Sequence, residues 1–411
     1  MRVALVSFEF PPAVAIGGIG TYAWNAARML AAAGHQVEVF AAGCTPSGSH
    51  KEPAAAHGVR VHRIAAADRA SFRKALVQPF LTRHHDAPFD VLESPEIGAE
   101  AAELTRRLPH LPVVVKLHTS SHLLARLGGE RPLWRKQLRY AAGALRRGRL
   151  AWLASPQADA EQVLERQFTG QAHAIAAPSS AIASTVQRDW GVDAAGCDVF
   201  PLPFAPDPAL LELPVPRQLD TIGFIGRLET RKGIFELAQA VLPLLGRHPS
   251  LQLRWIGPSW PTERGDSRSW LERFLAPVID QVVFTGPVAP DAIAQELAHC
   301  GAVVLPSRWE SFGLVCAESM AAARLVIGSA AGGMAEMIEP GVSGYLVPPR
   351  SPRAIRRVLQ RLLERPACMA PIAAAARERI LQLLDPQRVL PLQLASYRRA
   401  IERAQLGGAP W

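Results

Sequence analysis

The chain has little lysine, little cysteine and no long apolar run. Lys51, Lys74, Lys116, Lys136 and Lys232 are the only lysines, against 40 arginines. A lysine beside a glycine-rich turn therefore carries more weight here than it would on a lysine-rich surface. The cysteines, Cys44, Cys197, Cys300, Cys316 and Cys368, are scattered. They form neither a CxxC pair nor a Cys/His zinc spacing, which suits a reducing compartment and argues against a disulfide framework. No apolar stretch approaches the roughly 18 residues needed to span a bilayer, so any membrane contact is expected from the surface. The opening segment MRVALVSFEF is broken by Glu9 and reads as a first strand, not a signal peptide. The D-x-D, H-E-x-x-H, G-x-S-x-G and Walker signatures are all missing, and no metal or cofactor is expected. No nucleic-acid-binding module is recognisable and the basic residues are largely spread out, so nucleic acid is not expected as a partner.

What is present is the composition of a soluble globular protein, 49% hydrophobic and 20% charged. At 411 residues the chain exceeds one typical core, and two domains is the natural expectation. The net charge of +9 suits an anionic partner. Short β-rich runs alternate with amphipathic stretches. In the first half, strands are predicted at Val3–Phe8, Val37–Phe40, Val91–Glu93 and Val113–Leu117, and a helix over Thr21–His35 ending at Gly34. Pro201–Pro216 holds six prolines in 16 residues, too many for a helix or a central strand, and reads as a linker. The pattern then restarts. Strands are predicted at Thr221–Ile225, Leu251–Ile256, Val282–Thr285, Val303–Leu305, Leu325–Ile327 and Tyr345–Val347, with helices between them such as Ile234–Leu245. Strand–helix alternation means βαβ units and parallel sheets. The fold class is therefore α/β, with two Rossmann-like, doubly wound domains. Residues 1–200 form the first domain, 201–216 the linker, 217–385 the second domain and 386–411 a last helix that could join either. Ligands of open parallel sheets bind at the carboxyl ends of strands, which places the natural site in the cleft between the domains.

Several motifs fall at those strand ends. Gly17, Gly18 and Gly20 lie between the first strand and the first helix, where the backbone can approach a ligand and free N–H groups can face an anion. GFIGRLETRKG, residues 223–233, ends a strand with Arg227, Lys232 and Gly233 before a helix, so fixed cations sit beside backbone donors and suit a diphosphate. The bland alternative is solvated surface charge, the usual state of Arg and Lys. SRWESFGLVCAESM, residues 307–320, places Glu310 in a loop after an apolar strand and Glu318 one turn into the next helix. Carboxylates accept hydrogen bonds from paired hydroxyls, so one could serve a sugar and the other a ribose. An ordinary loop charge and a helix-surface glutamate would look the same. His118 follows another apolar strand. Gly332 and Gly333 follow a further one, where they could face an anion or simply make a tight turn.

Taken together these residues resemble glycosyltransferase family 4, retaining enzymes of the GT-B architecture. The resemblance runs from Gly17–Gly18 through GRLETRKG and ESFGLVCAE to GGMAEMIEPGVSGYLVPP. It implies that Arg227 and Lys232 hold the donor diphosphate, Glu310 the transferred sugar and Glu318 the ribose hydroxyls. Phe312, Gly313 and Leu314 would offer backbone groups to the donor, His118 would sit by the anomeric side, and Gly17 and Gly18 would let the first domain close. The chain departs from the family at MAAARLVIG, where a Gly and a Pro are usual, and at Ala335, where a proline is usual. The implied activity is metal-independent, retaining transfer from a nucleoside-diphosphate sugar to a glycan or lipid-linked acceptor in cell-surface polysaccharide or glycolipid synthesis. An epimerase or phosphorylase on the same fold, or a non-catalytic nucleotide-sugar-binding protein, are the rivals. Product analysis separates them, because an epimerase needs no acceptor and a phosphorylase responds to phosphate. Arg131–Arg149 carries seven basic residues and no acidic one. Trp134, Arg135, Lys136 and Arg139 within it would suit an anionic membrane surface or an acceptor, although an arginine-rich protein also makes such helix faces for solvent alone. The expected location is cytoplasmic, with peripheral contact to the inner face of the membrane.

Overall fold

A computed structural model describes residues 1–14, 17–43, 55, 57–127, 140–146, 159–192 and 196–407. Two parallel sheets organise it. The first contains β1 (Arg2–Ser7), β2 (Gln36–Ala42), β3 (Val59–Ile64), β4 (Val91–Pro95), β5 (Val113–Lys116), β6 (Ala174–Ala177) and β7 (Cys197–Val199), in the order β3-β2-β1-β4-β5-β6-β7. The second begins at β8 (Thr221–Ile225) and β9 (Gln252–Ile256). A two-stranded hairpin, β10 (Pro261–Thr262) and β11 (Gly265–Asp266), stands apart from it. The sheet continues with β12 (Val282–Gly286), β13 (Ala302–Leu305), β14 (Leu325–Ser329) and β15 (Tyr345–Val347), in the order β12-β9-β8-β13-β14-β15.

The strands read as continuous apolar runs because both faces of each sheet are covered. In β1, Ala4 and Val6 belong to one core cluster and Val3 and Leu5 to the opposite one. In β13, Ala302 and Val304 face one cluster while Val303 and Leu305 face the other. The sequence did not disclose β3, β6 and β7. β6 is Ala-Ile-Ala-Ala and β7 has three residues, with an aspartate in the middle. Such strands exist because their neighbours supply the ladder.

The first helix spans Gly18–Ala32, with Gly17 as its extended N-cap. It starts three residues before the expected Thr21, so Gly18 and Gly20 lie in its first turn and not in a loop. The chain leaves the helix through Gly34, at φ 83°. The proline-rich segment contains one helical turn, Pro208–Leu211, which the prolines alone argued against. Pro208 occupies the first helical position, where a missing N–H costs nothing, and Asp207 caps it. The last helix, Pro386–Gln405, packs on the first domain. Its Val389, Tyr397 and Ala400 are buried among Val3, Val91 and Val114, although the preceding helix, Met369–Leu383, packs in the second domain's core through Ala376 and Ile380. Among the described residues no helix is long and apolar enough to cross a membrane.

Candidate active site

The loops after β5 and β13 meet across the cleft. Thr119 Oγ1 donates to Ser311 Oγ at 3.2 Å, and Ser179 Oγ donates to the Ser311 carbonyl at 2.6 Å. Glu336 accepts from the backbone N–H groups of Ser180 and Ala181 at 3.2 and 3.1 Å, a carboxylate at a helix N-terminus. Trp309 of the second domain packs on the core of the first. These contacts set His118 and Glu310 in neighbouring walls, each one residue before a partner in the Thr119–Ser311 hydrogen bond.

On the second domain's side, the loop after β8 carries the charge. Glu229 accepts from Arg227 at 3.4 Å and from Arg231 at 2.7 Å. Glu310 Oε1 accepts from Arg231 at 3.4 Å, from Lys232 Nζ at 2.5 Å and from Ser307 Oγ at 2.9 Å. Arg227, Glu229, Arg231, Glu310 and Lys232 therefore form a row of alternating sign. The side chains of its end cations are 33% and 21% exposed, but that of the central Arg231 only 7%. Burial alone would raise the Glu310 carboxyl, but Lys232 and Arg231 outweigh it and hold it at about 2. Burial lowers Lys232 despite the pull of Glu310. Arg227 also lies 4.9 Å over the ring of Trp260.

Two glycines make this row possible. Gly233 sits at φ 76° with the Pro306 carbonyl so close that a Cβ would stand 2.1 Å from its oxygen. That approach brings Lys232 to Glu310. Gly332, at φ 93°, presses on the backbone of Glu310 in the same way. The Gly333 N–H donates to the Glu310 carbonyl at 2.9 Å. Gly332 and Gly333 therefore brace the Glu310 loop, and the Gly333 N–H is already taken, which favours the tight turn of the two readings the sequence left open.

Gly313, at φ 101°, precedes the helix Leu314–Ala321, and Phe312 is buried beside it. Glu318 is half-buried in this helix. The protein packed around it pushes its carboxyl up to about 7, with no hydrogen-bond partner among the described residues. Leu314 reaches across to the first domain, where a Cβ on Gly18 would stand 3.5 Å from its Cδ1.

His118 lies two residues past β5, in the loop that runs to the helix at Ser121. Its N–H donates to Glu96 at 2.8 Å, and its ring lies edge-on to Tyr22 at 5.3 Å. Burial, with help from Lys116 and Arg69, lowers it to about 3, so the ring is neutral at ordinary pH. The sequence did not flag its surroundings. Tyr22 and Tyr397 donate to Glu93 at 2.6 and 2.8 Å, and Gln393 adds a third bond at 3.2 Å. Lys116 is fully buried, with no hydrogen-bond partner for Nζ among the described residues, and Nζ lies 3.7 Å over Phe200. Burial brings it to about 7. Lysine scarcity could have pointed to Lys116. Arg231, Ser307 and Glu96 carried no such signal. Trp134, Arg135, Lys136 and Arg139 lie outside the described residues. Among those described, no three His, Cys, Asp or Glu side chains gather as a metal-binding group.

A family model described as "Glycosyl transferase 4-like domain" matches residues 17–203, and one described as "Glycosyl transferases group 1" matches residues 220–365. The chain is similar to a D-inositol 3-phosphate glycosyltransferase of Rhodococcus erythropolis, 27% identical across 100% of this chain and 93% of that one. It is also similar to a glycogen synthase of Mycobacterium tuberculosis, 28% identical over 95% and 92% of the two chains. Among solved structures, sucrose-phosphate synthase of Thermosynechococcus elongatus superposes with a TM-score of 0.72 at 24% identity, covering 98% of this chain and 99% of that one. Anabaena HepE, solved with UDP-glucose, superposes at 0.70 and 19% identity over 96% and 99%. These likenesses share the GT-B fold. Two sheets meeting at their carboxyl-end loops, with a charged row on one wall and a neutral histidine on the other, carry the sequence features of one family on that fold: the chain belongs to glycosyltransferase family 4.

Proposed function

We propose that the protein transfers a sugar from a nucleoside-diphosphate sugar to a glycan or lipid-linked acceptor, with retention and without a bound metal. The observation that carries this reading is the alternating row, whose two end cations stay partly exposed beside the strand end. Arg227 and Lys232 would hold the diphosphate, and fixed cations that meet negative charge growing on a leaving group lower the barrier. Glu318, whose carboxyl has no hydrogen-bond partner among the described residues, would take the ribose hydroxyls. Glu310, already ionised, would accept from hydroxyls of the transferred sugar, and the neutral His118 would face the anomeric side from the opposite wall. Phe312, Gly313 and Leu314 would offer backbone groups to the donor, with Gly17 and Gly18 closing over it. HepE was solved with UDP and with UDP-glucose, which supports a nucleotide-sugar donor. A polymer acceptor has support from the glycogen synthase relative, and a phosphorylated polyol from the inositol-phosphate relative.

The test is a thermal-stability titration with UDP, GDP and ADP in EDTA, followed by anomeric analysis of the product by NMR. A ligand at 100 times its Kd stabilises by about 2.7 kcal/mol. A shift with one nucleotide and an α-configured product from an α-linked donor are expected. No shift with any nucleotide, or an inverted product, would defeat the reading.

A further inference from the structure

Two members of the row of five charges, Glu229 and Arg231, have no place in the donor scheme, and Arg231 is the buried one. Its two Nη atoms are turned to two different carboxylates, Glu229 and Glu310. A guanidinium is a rigid fork suited to such bridging. Its backbone is fixed as well. The Arg231 carbonyl accepts from the Arg308 N–H at 2.8 Å, and Arg308 pairs with Glu236 at 3.2 Å.

Lys232 is paired to Glu310 and Arg227 to Glu229. A diphosphate arriving at the two end cations competes with both carboxylates for them. Without a further cation, Glu229 and Glu310 would be left as neighbouring carboxylates in a loop region mostly shielded from water. Such carboxylates either take up protons or move apart. Arg231 is the one cation of the row that the ligand cannot draw away, because it lies beneath the ends and is held on both sides.

We propose that Arg231 is a positioning residue, which keeps Glu310 ionised and in place when the donor diphosphate draws Arg227 and Lys232 to itself. This rests on the donor reading above. It makes the row a device with two states. In the empty site the end cations neutralise the carboxylates. In the loaded site they neutralise the diphosphate, and the carboxylates fall to Arg231.

The experiment uses full-length Arg231→Gln and Arg231→Lys with whichever of UDP, GDP or ADP binds the wild type. Three quantities are read: nucleotide Kd, kcat for release of that nucleotide from its sugar donor, and the carboxyl ¹³C titration of Glu310 with nucleotide bound. For Arg231→Gln the expected Kd lies within about threefold of wild type, while kcat falls about 100-fold, the scale of a misplaced reacting contact. With nucleotide bound, the Glu310 carboxyl should titrate higher in Arg231→Gln than in wild type, because burial raises it and Arg231 is the cation left to oppose that. Arg231→Lys keeps the charge but not the fork and should lose only about tenfold in kcat. Unchanged kcat in both variants overturns the proposal. So does a Kd that weakens as much as kcat, which would make Arg231 a diphosphate ligand. Should Arg231→Gln fail to fold, Arg231→Lys decides alone by the same split between kcat and Kd. A wild type that binds none of the three nucleotides would defeat the donor reading and this proposal with it. That outcome is distinct from a variant that binds nucleotide and turns over normally.

Discussion

Replacing Lys232 by alanine should nearly abolish turnover while leaving the fold in place. Its Nζ stands 2.5 Å from Glu310, and Glu310 is only 8% exposed. Removing one partner of a buried pair costs about 3–5 kcal/mol when the other is left alone. Here Glu310 keeps Arg231 and Ser307, so a loss of about 1–2 kcal/mol is expected. For a domain of this size that lowers Tm by only about 2–8 °C. The effect on chemistry is larger. A preorganised group facing charge that develops in the transition state is worth about 10²–10³-fold in kcat. A charge-assisted bond to the bound phosphate adds about 1.5–3 kcal/mol to nucleotide affinity. The assay is nucleotide release from the donor, with circular dichroism and Tm measured on the same preparations. A folded Lys232→Ala protein with turnover within about threefold of wild type would refute the diphosphate assignment.

Three further outcomes are expected. The Glu318 carboxyl sits at about 7, so it is neutral below that pH and an acceptor-only carboxylate above it; nucleotide affinity should rise from about pH 6 to about pH 8 more steeply in wild type than in Glu318→Gln, and identical profiles would remove its ribose role. Burial, reinforced by Glu165, raises Glu96 to about 8. A carboxyl raised on folding contributes its stability fully below its unfolded value and loses it as pH climbs through the folded one, by up to about 1.4 kcal/mol per pH unit. Glu96→Gln should therefore gain on wild type in Tm as pH rises from about 5 to about 9, and a constant difference would show that Glu96 folds ionised. Charge reversal at Arg135, Lys136 and Arg139 should weaken sedimentation with anionic vesicles, and equal sedimentation of both proteins would leave the basic segment without a membrane role.

Much of the architecture was legible because a parallel sheet covered on both faces writes itself as apolar runs, as in Val3–Phe8 and Val303–Leu305. The missed strands lacked that mark. β3 alternates Val-Arg-Val-His-Arg-Ile, with only Val59 and Ile64 buried, and β6 is mostly alanine. The prolines of 201–216 read as a linker in composition, yet Leu202, Phe204 and Leu210 are buried with Phe312, so the segment is packed and not free. For Gly332 and Gly333 a double glycine after a strand admits either an anion site or a tight turn, and only the position of the Glu310 backbone separates them.

By itself the sequence determined the two α/β units, the strand ends at which chemistry could gather, and the local pairs Arg227–Lys232 and Glu310–Glu318, because period and spacing are properties of neighbouring residues. The partners were decided only by tertiary structure. Lys232 and Glu310 are 78 residues apart, and Gly233 must meet Pro306 before they touch. Arg231 is one of 40 arginines until that contact buries it between two carboxylates. Burial likewise makes His118 neutral and Glu318 slow to ionise, and burial is set by what the rest of the chain packs around a residue, not by its own neighbours in sequence.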